Sequence, residues 1–233
     1  NWGRGFHSND VRGLTISVDP GSGDPIDPVD TYARSDGAEI GIRVESGETF
    51  NATVTAFWLE LDSELLFVGD AGNTEANGST RRNGIEFATF WQPLDWLAAN
   101  FSYTYTDAEY KEDQDPGRNI PGAIESVASL GVNGAWNNGL FASIRGRYLG
   151  DAPLVEDGSV SSDSSFLLNA SVGWEWNNFV FRLDGFNLLD SDDDDIAYYY
   201  ESRLAGEPLG GVEDVHFHPL EPRMVRASVT MHW

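Results

Sequence analysis

Cysteine is absent from the 233 residues, which excludes disulfides, zinc–thiolate centres, iron–sulfur clusters and thiol nucleophiles. Positive charge is scarce: 14 bases stand against 38 acids, and Lys111 is the only lysine. A net charge of −24 argues against gripping nucleic acid through its phosphates. No apolar run approaches the roughly 20 residues of a membrane-crossing helix. No Gly-x-Ser-x-Gly elbow or phosphate-binding glycine loop occurs, and no Ser–His–carboxylate set can be assembled by spacing, so the chain is not read as an enzyme. The start, Asn1-Trp2-Gly3-Arg4-Gly5, shows no signal peptide, and the expectation is a chain that begins in mid-protein or has been processed.

What is present is apolar and aromatic: 40% hydrophobic residues with 8 Trp, 8 Tyr and 13 Phe, punctuated by 25 Gly and 10 Pro. Such a composition suits many short strands. The hydrophobic pattern has period two, as a strand between two different environments requires. Leu97, Ala99, Phe101, Tyr103 and Tyr105 alternate with Asn100, Ser102, Thr104 and Thr106. Val225, Ala227, Val229, Met231 and Trp233 alternate with Arg226, Ser228, Thr230 and His232. Similar runs lie at 38–45, 50–58, 82–91, 124–136, 140–148, 166–176 and 179–184, giving nine predicted strands of the length a tilted membrane strand needs.

The connections fall into two kinds. Turns rich in Gly, Asn and Pro sit at 46–48, 92–95, 137–139 and 177–178, whereas long polar loops are expected at 59–80, 107–121, 151–164 and 190–221, with another before the first strand. Residues 1–36, 59–80, 107–121, 150–165 and 190–221 hold 30 acids and 6 bases, while the strands and short turns hold 8 of each. Long acidic loops on one side and neutral strands between are the signature of an outer-membrane barrel. Trp58, Trp91, Trp136, Trp174, Trp176 and Trp233 lie near strand ends, where amphipathic rings favour the headgroup level.

Several motifs carry a family resemblance. Gly3-Arg4-Gly5-Phe6, Ala38-Glu39-Ile40-Gly41-Ile42-Arg43, Arg82-Asn83-Gly84-Ile85-Glu86, Asn119-Ile120-Pro121-Gly122, Asn187-Leu188-Leu189-Asp190 and Glu221-Pro222-Arg223-Met224-Val225 follow one another in the order and spacing of a TonB-dependent outer-membrane receptor. The chain resembles the C-terminal portion of that family's β-barrel domain over nearly its whole length. The resemblance implies an all-β transmembrane antiparallel barrel segment, about nine strands of a 22-stranded barrel. It implies further that residues 1–233 lack the plug domain, TonB box and signal peptide of the parent. The function implied is active uptake of a scarce ligand, such as a ferric siderophore or other metal chelate, across the bacterial outer membrane. Partners would be outer-membrane lipid and lipopolysaccharide, the plug of the same protein, TonB and a small-molecule ligand, with no nucleic acid and no resident cofactor. The alternatives are a passive porin-like channel and a soluble β-sandwich binding module.

On local grounds, Gly84 is expected at a strand start, and Pro121 and Pro222 likewise. Tyr198, Tyr199, Tyr200 and Arg203 in the long 190–221 segment could cover an aromatic or anionic ligand. His216 and His218 have a spacing that could touch a metal or metal chelate, although a structural role in the approach to the last strand is the plainer reading. Asp190–Asp195 could hold a cation but lacks the glycine and distal glutamate of an EF-hand loop. By alternation Arg145, Arg147, Arg182 and Arg226, with Glu86 and Glu125, face the lumen.

Overall fold

The computed structural model describes residues 1–8, 11–18, 23, 25, 27–28, 30–68, 73–112 and 117–233. Ten strands form one antiparallel sheet. They are β1 (Trp2–Ser8), β2 (Tyr32–Ser46), β3 (Phe50–Leu61), β6 (Thr80–Leu94), β7 (Leu97–Tyr110), β8 (Ser126–Ala135), β9 (Leu140–Leu149), β10 (Ser165–Trp176), β11 (Phe179–Phe186) and β14 (Met224–Met231). Each pairs with its neighbour in chain order, leaving β1 and β14 as the two edges. Two hairpins stand apart, β4 (Glu64–Val68) with β5 (Asn73–Asn77), and β12 (Asp194–Ser202) with β13 (Val212–Pro219). A five-residue helix α1 spans Val11–Thr15.

All nine expected strands are present, and β1 adds a tenth. The segments 59–80 and 190–221, expected as loops, each contain a hairpin. Gly84 is not at a strand start but inside β6, where a methyl group would overlap the Phe57 ring. Its role is to let that ring lie flat across the neighbouring strand. Gly173 makes the same room for Phe141. Pro121 lies in a turn ahead of β8 rather than at its first residue: Gly122, at φ +78°, donates its amide to the Pro153 carbonyl, and Ala123 closes back on Ile120.

The register brings like to like across the sheet. One row runs Ile42, Val54, Phe87, Tyr103, Ala128, Tyr148, Phe166, and a lower one Trp91, Ala99, Val132, Ile144, Ala170. Toward β14 the same face carries Val172, Leu183 and Ala227, then Trp174, Phe181 and Val229. The opposite face is polar. Ser102 bonds Ser129 and Ser143 bonds Ser171, both at 2.8 Å.

Nothing among the described residues packs on the apolar face. Ile42 is 72% exposed, Val225 64% and Val229 63%. The buried hydrophobic residues are instead Ala33, Tyr110, Ile120, Ala152 and Leu154, at the long-loop end of the sheet. Among the described residues no second sheet is stacked on the first, so the β-sandwich alternative fails. A ten-strand sheet with one face of bare Ile, Val, Leu and Phe is satisfied only by hydrocarbon, where a charge on that face at mid-depth would cost about 2–4 kcal/mol. The aromatic belt follows: Trp96 stacks on Trp136 at 5.3 Å, and Trp174 on Trp176 at 6.0 Å, at the short-turn end.

Asn187 joins the end of β11 to the start of β14. It is 3% exposed at φ +45°. Its side-chain amide donates to the Ser191 and Glu221 carbonyls, and its side-chain oxygen accepts from the Ser191 amide. Asp190, at φ +56°, then holds Arg223 through both its backbone amide and its guanidinium. The Asn-Leu-Leu-Asp motif is therefore a latch that closes the base of the 190–221 excursion. Asn187→Ala removes three part-buried hydrogen bonds worth about 1 kcal/mol each, so it should lower the urea midpoint of the folded barrel clearly, whereas Leu189→Ala, at an exposed site, should not.

Candidate ligand-capture site

The β12–β13 hairpin carries the residues singled out for ligand contact. Opposite pairs are Ile196 with His218, Tyr198 with His216, and Tyr200 with Asp214, so these side chains share one face, while Tyr199 opposite Val215 takes the other. An extra residue, Asp195, bulges out between Asp194 and Ile196. The Tyr200 and His216 rings stack with centroids 3.8 Å apart and planes 16° from parallel. The Asp214 carbonyl can only accept, so His216 Nδ1 donates to it at 2.9 Å. In the neutral ring Nε2 then takes the Ser202 hydroxyl hydrogen at 2.7 Å. Both ring nitrogens are thus engaged in holding the stack. His218 Nδ1 lies 2.9 Å from Asp195 Oδ1. Among the described residues no three His, Asp or Glu side chains converge as a metal site.

Arg203 stands apart from this stack: it is exposed at the hairpin's turn, with Nε 3.4 Å from the Glu207 carbonyl. The acidic run is structured rather than loose. Asp193 accepts the Phe166 amide, Asp190 holds Arg223 and Asp195 meets His218.

Beneath the base of the hairpin lies a cavity of about 260 Å³. Its walls are Asp194–Tyr198, the turn at Pro121–Ile124, Leu149 at the end of β9, and Ala152 and Leu154 from the loop that follows it. That loop is clamped to its neighbour by Asn119, whose backbone and side-chain amides both donate to the Glu156 carbonyl. Within it Ser159 holds the Asp157 carboxyl below its ordinary pKa, through its hydroxyl and its amide. Burial does the opposite at Asp194, raising it, with the charges of Asp163, Asp193 and Asp195 adding to the effect. The cavity is invisible in the sequence because it is assembled from three segments that lie apart in the chain.

On the polar face of the sheet, Asp184 is 4% exposed and takes Arg182 at 2.7 Å and Arg226 at 3.3 Å. Arg226 also lies over the Phe186 ring at 5.0 Å. Arg145 and Arg147 sit on the same face of β9 and make no ion pair or side-chain hydrogen bond among the described residues; both line a shallow cavity of about 550 Å³ with Asn100 and Asn169. Glu86, on β6, shares this face opposite Thr55 and Thr104. Glu125 precedes β8, and its carbonyl accepts the Thr106 amide.

An uncovered apolar face, a polar reverse face, short turns at one end and a folded crown at the other define the wall of an outer-membrane β-barrel. The chain belongs to the TonB-dependent receptor family: the family model described as TonB dependent receptor-like, beta-barrel matches residues 1–188. Its fold is similar to the ferric-catecholate import receptor Fiu of E. coli K12 in the closed form (TM-score 0.71, 20% identity, all of this chain and 32% of that one). It is also similar to the ferric yersiniabactin uptake receptor FyuA of Yersinia pestis (0.69, 16%, covering 99% and 34%). BauA, the ferric preacinetobactin receptor of Acinetobacter baumannii, matches at 0.65 and 18%, covering 99% and 33%. The chain spans about a third of the length of these structures. Its place is the outer membrane.

A carboxyl held above its unfolded pKa favours the folded hairpin when protonated. That contribution is complete below the unfolded value and is lost as pH rises through the folded one. Asp194→Asn should therefore slow amide exchange in β12–β13 at pH 7, and the difference from the parent should vanish near about pH 3, where both side chains are neutral.

Proposed function

We propose that this chain is the C-terminal wall and outer crown of a receptor that takes up a metal chelate, a ferric siderophore above all, by energy relayed through TonB. The rest of the barrel, the plug and the TonB-contacting segment would belong to the same protein. The observation that carries this reading is the ten-strand wall with one face open to lipid and a folded crown at the long-loop end, in a chain that belongs to the family. The ligand class is supported by what the similar structures import: ferric catecholates, ferric yersiniabactin and ferric preacinetobactin.

In this reading the crown captures. Tyr198, Tyr200 and His216 present a rigid aromatic face, with the His216 ring fixed at both nitrogens, so little freedom is lost when a flat ligand ring lies on it. The lumen wall serves the plug. Arg145, Arg147 and Glu86 would meet plug groups of opposite charge, while the Arg182–Asp184–Arg226 set is satisfied within the wall. A porin-like channel would instead need a constriction loop folded into the lumen and would pass its solute without TonB.

The test is uptake of iron-55 by cells whose only copy of the full-length receptor is wild type or Tyr200→Ala/His216→Ala, offered ferric catecholate, hydroxamate and mixed-donor chelates. At least one chelate should enter only in TonB-positive cells. For it the double variant should weaken cell-surface binding about 3- to 10-fold, the worth of an aromatic stack, at equal receptor level. Uptake of every chelate independent of TonB would contradict the reading.

A further inference from the structure

The cavity under the β12–β13 hairpin holds polar groups that the fold itself does not satisfy. Ser165 begins β10 and is 5% exposed, yet its hydroxyl makes no hydrogen bond among the described residues. It lies opposite Leu149 of β9, and both line the cavity. Asp163 and Asp194 line it too, and neither carboxyl meets a donor or a cation among the described residues. Their neighbours are placed differently. Asp193 accepts the Phe166 amide, Asp195 meets His218, and the Ser162 hydroxyl accepts the Ala152 amide. Burial disfavours the ionised form of Asp194, and the charges of Asp163, Asp193 and Asp195 add to that cost.

A buried hydroxyl and a half-buried carboxylate without partners are costly to keep, and a ligand that completes the set removes the cost. The rest of the wall is apolar: Ile124, Leu149, Leu154 and Ile196. Such a wall does not suit a divalent ion, which wants oxygen ligands all round, and no three His, Asp or Glu side chains converge as a metal site among the described residues. It suits a cation with N–H donors at one end and hydrocarbon at the other. An alkylammonium has three such donors, one each for Ser165, Asp163 and Asp194, and methylenes for the apolar side. Size sets the limit. At the roughly 30 Å³ that a water occupies in the liquid, a cavity of about 260 Å³ has room for a short chain and not for a whole metal chelate.

We propose that this cavity binds a short primary alkylammonium, its nitrogen on Ser165, Asp163 and Asp194 and its chain against Ile124, Leu149, Leu154 and Ile196. A free amine and the end of a longer molecule's aminoalkyl arm carry this same chemistry. The walls come from the turn at Pro121–Ile124, the end of β9 with its following loop, and the base of β12–β13, so one bound amine ties three crown segments together. The crown's excess of carboxylates draws cations to the mouth of the cavity. The site belongs to the crown alone and depends neither on TonB nor on the chelate carried.

The test uses full-length receptor in nanodiscs with pentylamine at pH 7, read by titration calorimetry and by segment-resolved amide exchange, without TonB or iron. Pentylamine should bind at one site and slow exchange together in 121–124, 151–165 and 194–198. Pentan-1-ol, which has the body without the charge, and tetramethylammonium, which has the charge without N–H donors, should each bind at least about tenfold more weakly. Asp194→Asn, nearly unchanged in shape, should weaken pentylamine binding about tenfold or more, and Ser165→Ala about three- to tenfold. Asp192→Asn, which alters an exposed acid of the same run outside the cavity, should change it less than about twofold. Competition by an aminopentyl group on a polyethylene glycol chain assigns the site to tethered arms as well, and binding of pentylamine alone assigns it to free amines. No saturable binding at millimolar pentylamine, equal binding of tetramethylammonium, affinity unmoved by both Asp194→Asn and Ser165→Ala, or an equal loss in Asp192→Asn would each overturn the proposal. A failed uptake assay leaves these readings untouched, so the two conclusions fall separately.

Discussion

The constraint on which the structure depends is that backbone groups and side chains must both be satisfied in hydrocarbon. Backbone N–H and C=O groups inside a bilayer have no water to turn to, so they pair strand to strand, and a sheet is one of two ways to do it. Once that is imposed, every second residue is committed to lipid. The Ile42-to-Phe166 row and its parallels are the consequence, and so is the serine ladder behind them. The exposure of Val225 and Val229 is not a defect of packing but the surface the solvent demands.

The crown answers to water, and its construction differs accordingly. Residues buried in the conventional sense, Tyr110, Ile120, Ala152 and Leu154, gather where the strands leave the membrane. Charged and amide side chains there act as ties: Asn187 across the base of the last excursion, Asn119 between two loops, Asp193 on the Phe166 amide. A surface net charge of −24 would push such loops apart if they were merely solvated. Much of the acidity is instead spent on fixed backbone and side-chain partners.

The sequence made the wall legible because period two is a local signal that repeats for 8 to 15 residues per strand. Alternation in β7, β10 and β14 is enough to name the lipid face. It failed for β1, where outward Trp2, Arg4 and Phe6 mix a cation into the apolar set because the strand is rising out of the bilayer. It failed again for β12, since Tyr198-Tyr199-Tyr200 is aromatic on both faces of a hairpin that lies in water. Gly84 reads locally as a strand start yet lies inside β6, because its reason lies across the sheet, in the Phe57 ring, and not along the chain. The Tyr200–His216 stack could be suspected from two nearby aromatic clusters, but the cavity beneath it joins Pro121, Leu154 and Tyr198, which lie far apart in the chain. Only the fold brings them together.

The most direct measurement places single cysteines, unique in this cysteine-free chain, at Phe101, Leu130 and Val225 and at Ser102, Ser129 and Arg226 of the full-length receptor in vesicles. A fluorophore on each is exposed to lipids bearing a mid-chain nitroxide. Strong quenching at the first three positions and little at their immediate neighbours is the outcome expected of a wall with hydrocarbon on one face. Uniform quenching along each strand, or none at Phe101 and Val225, would contradict it.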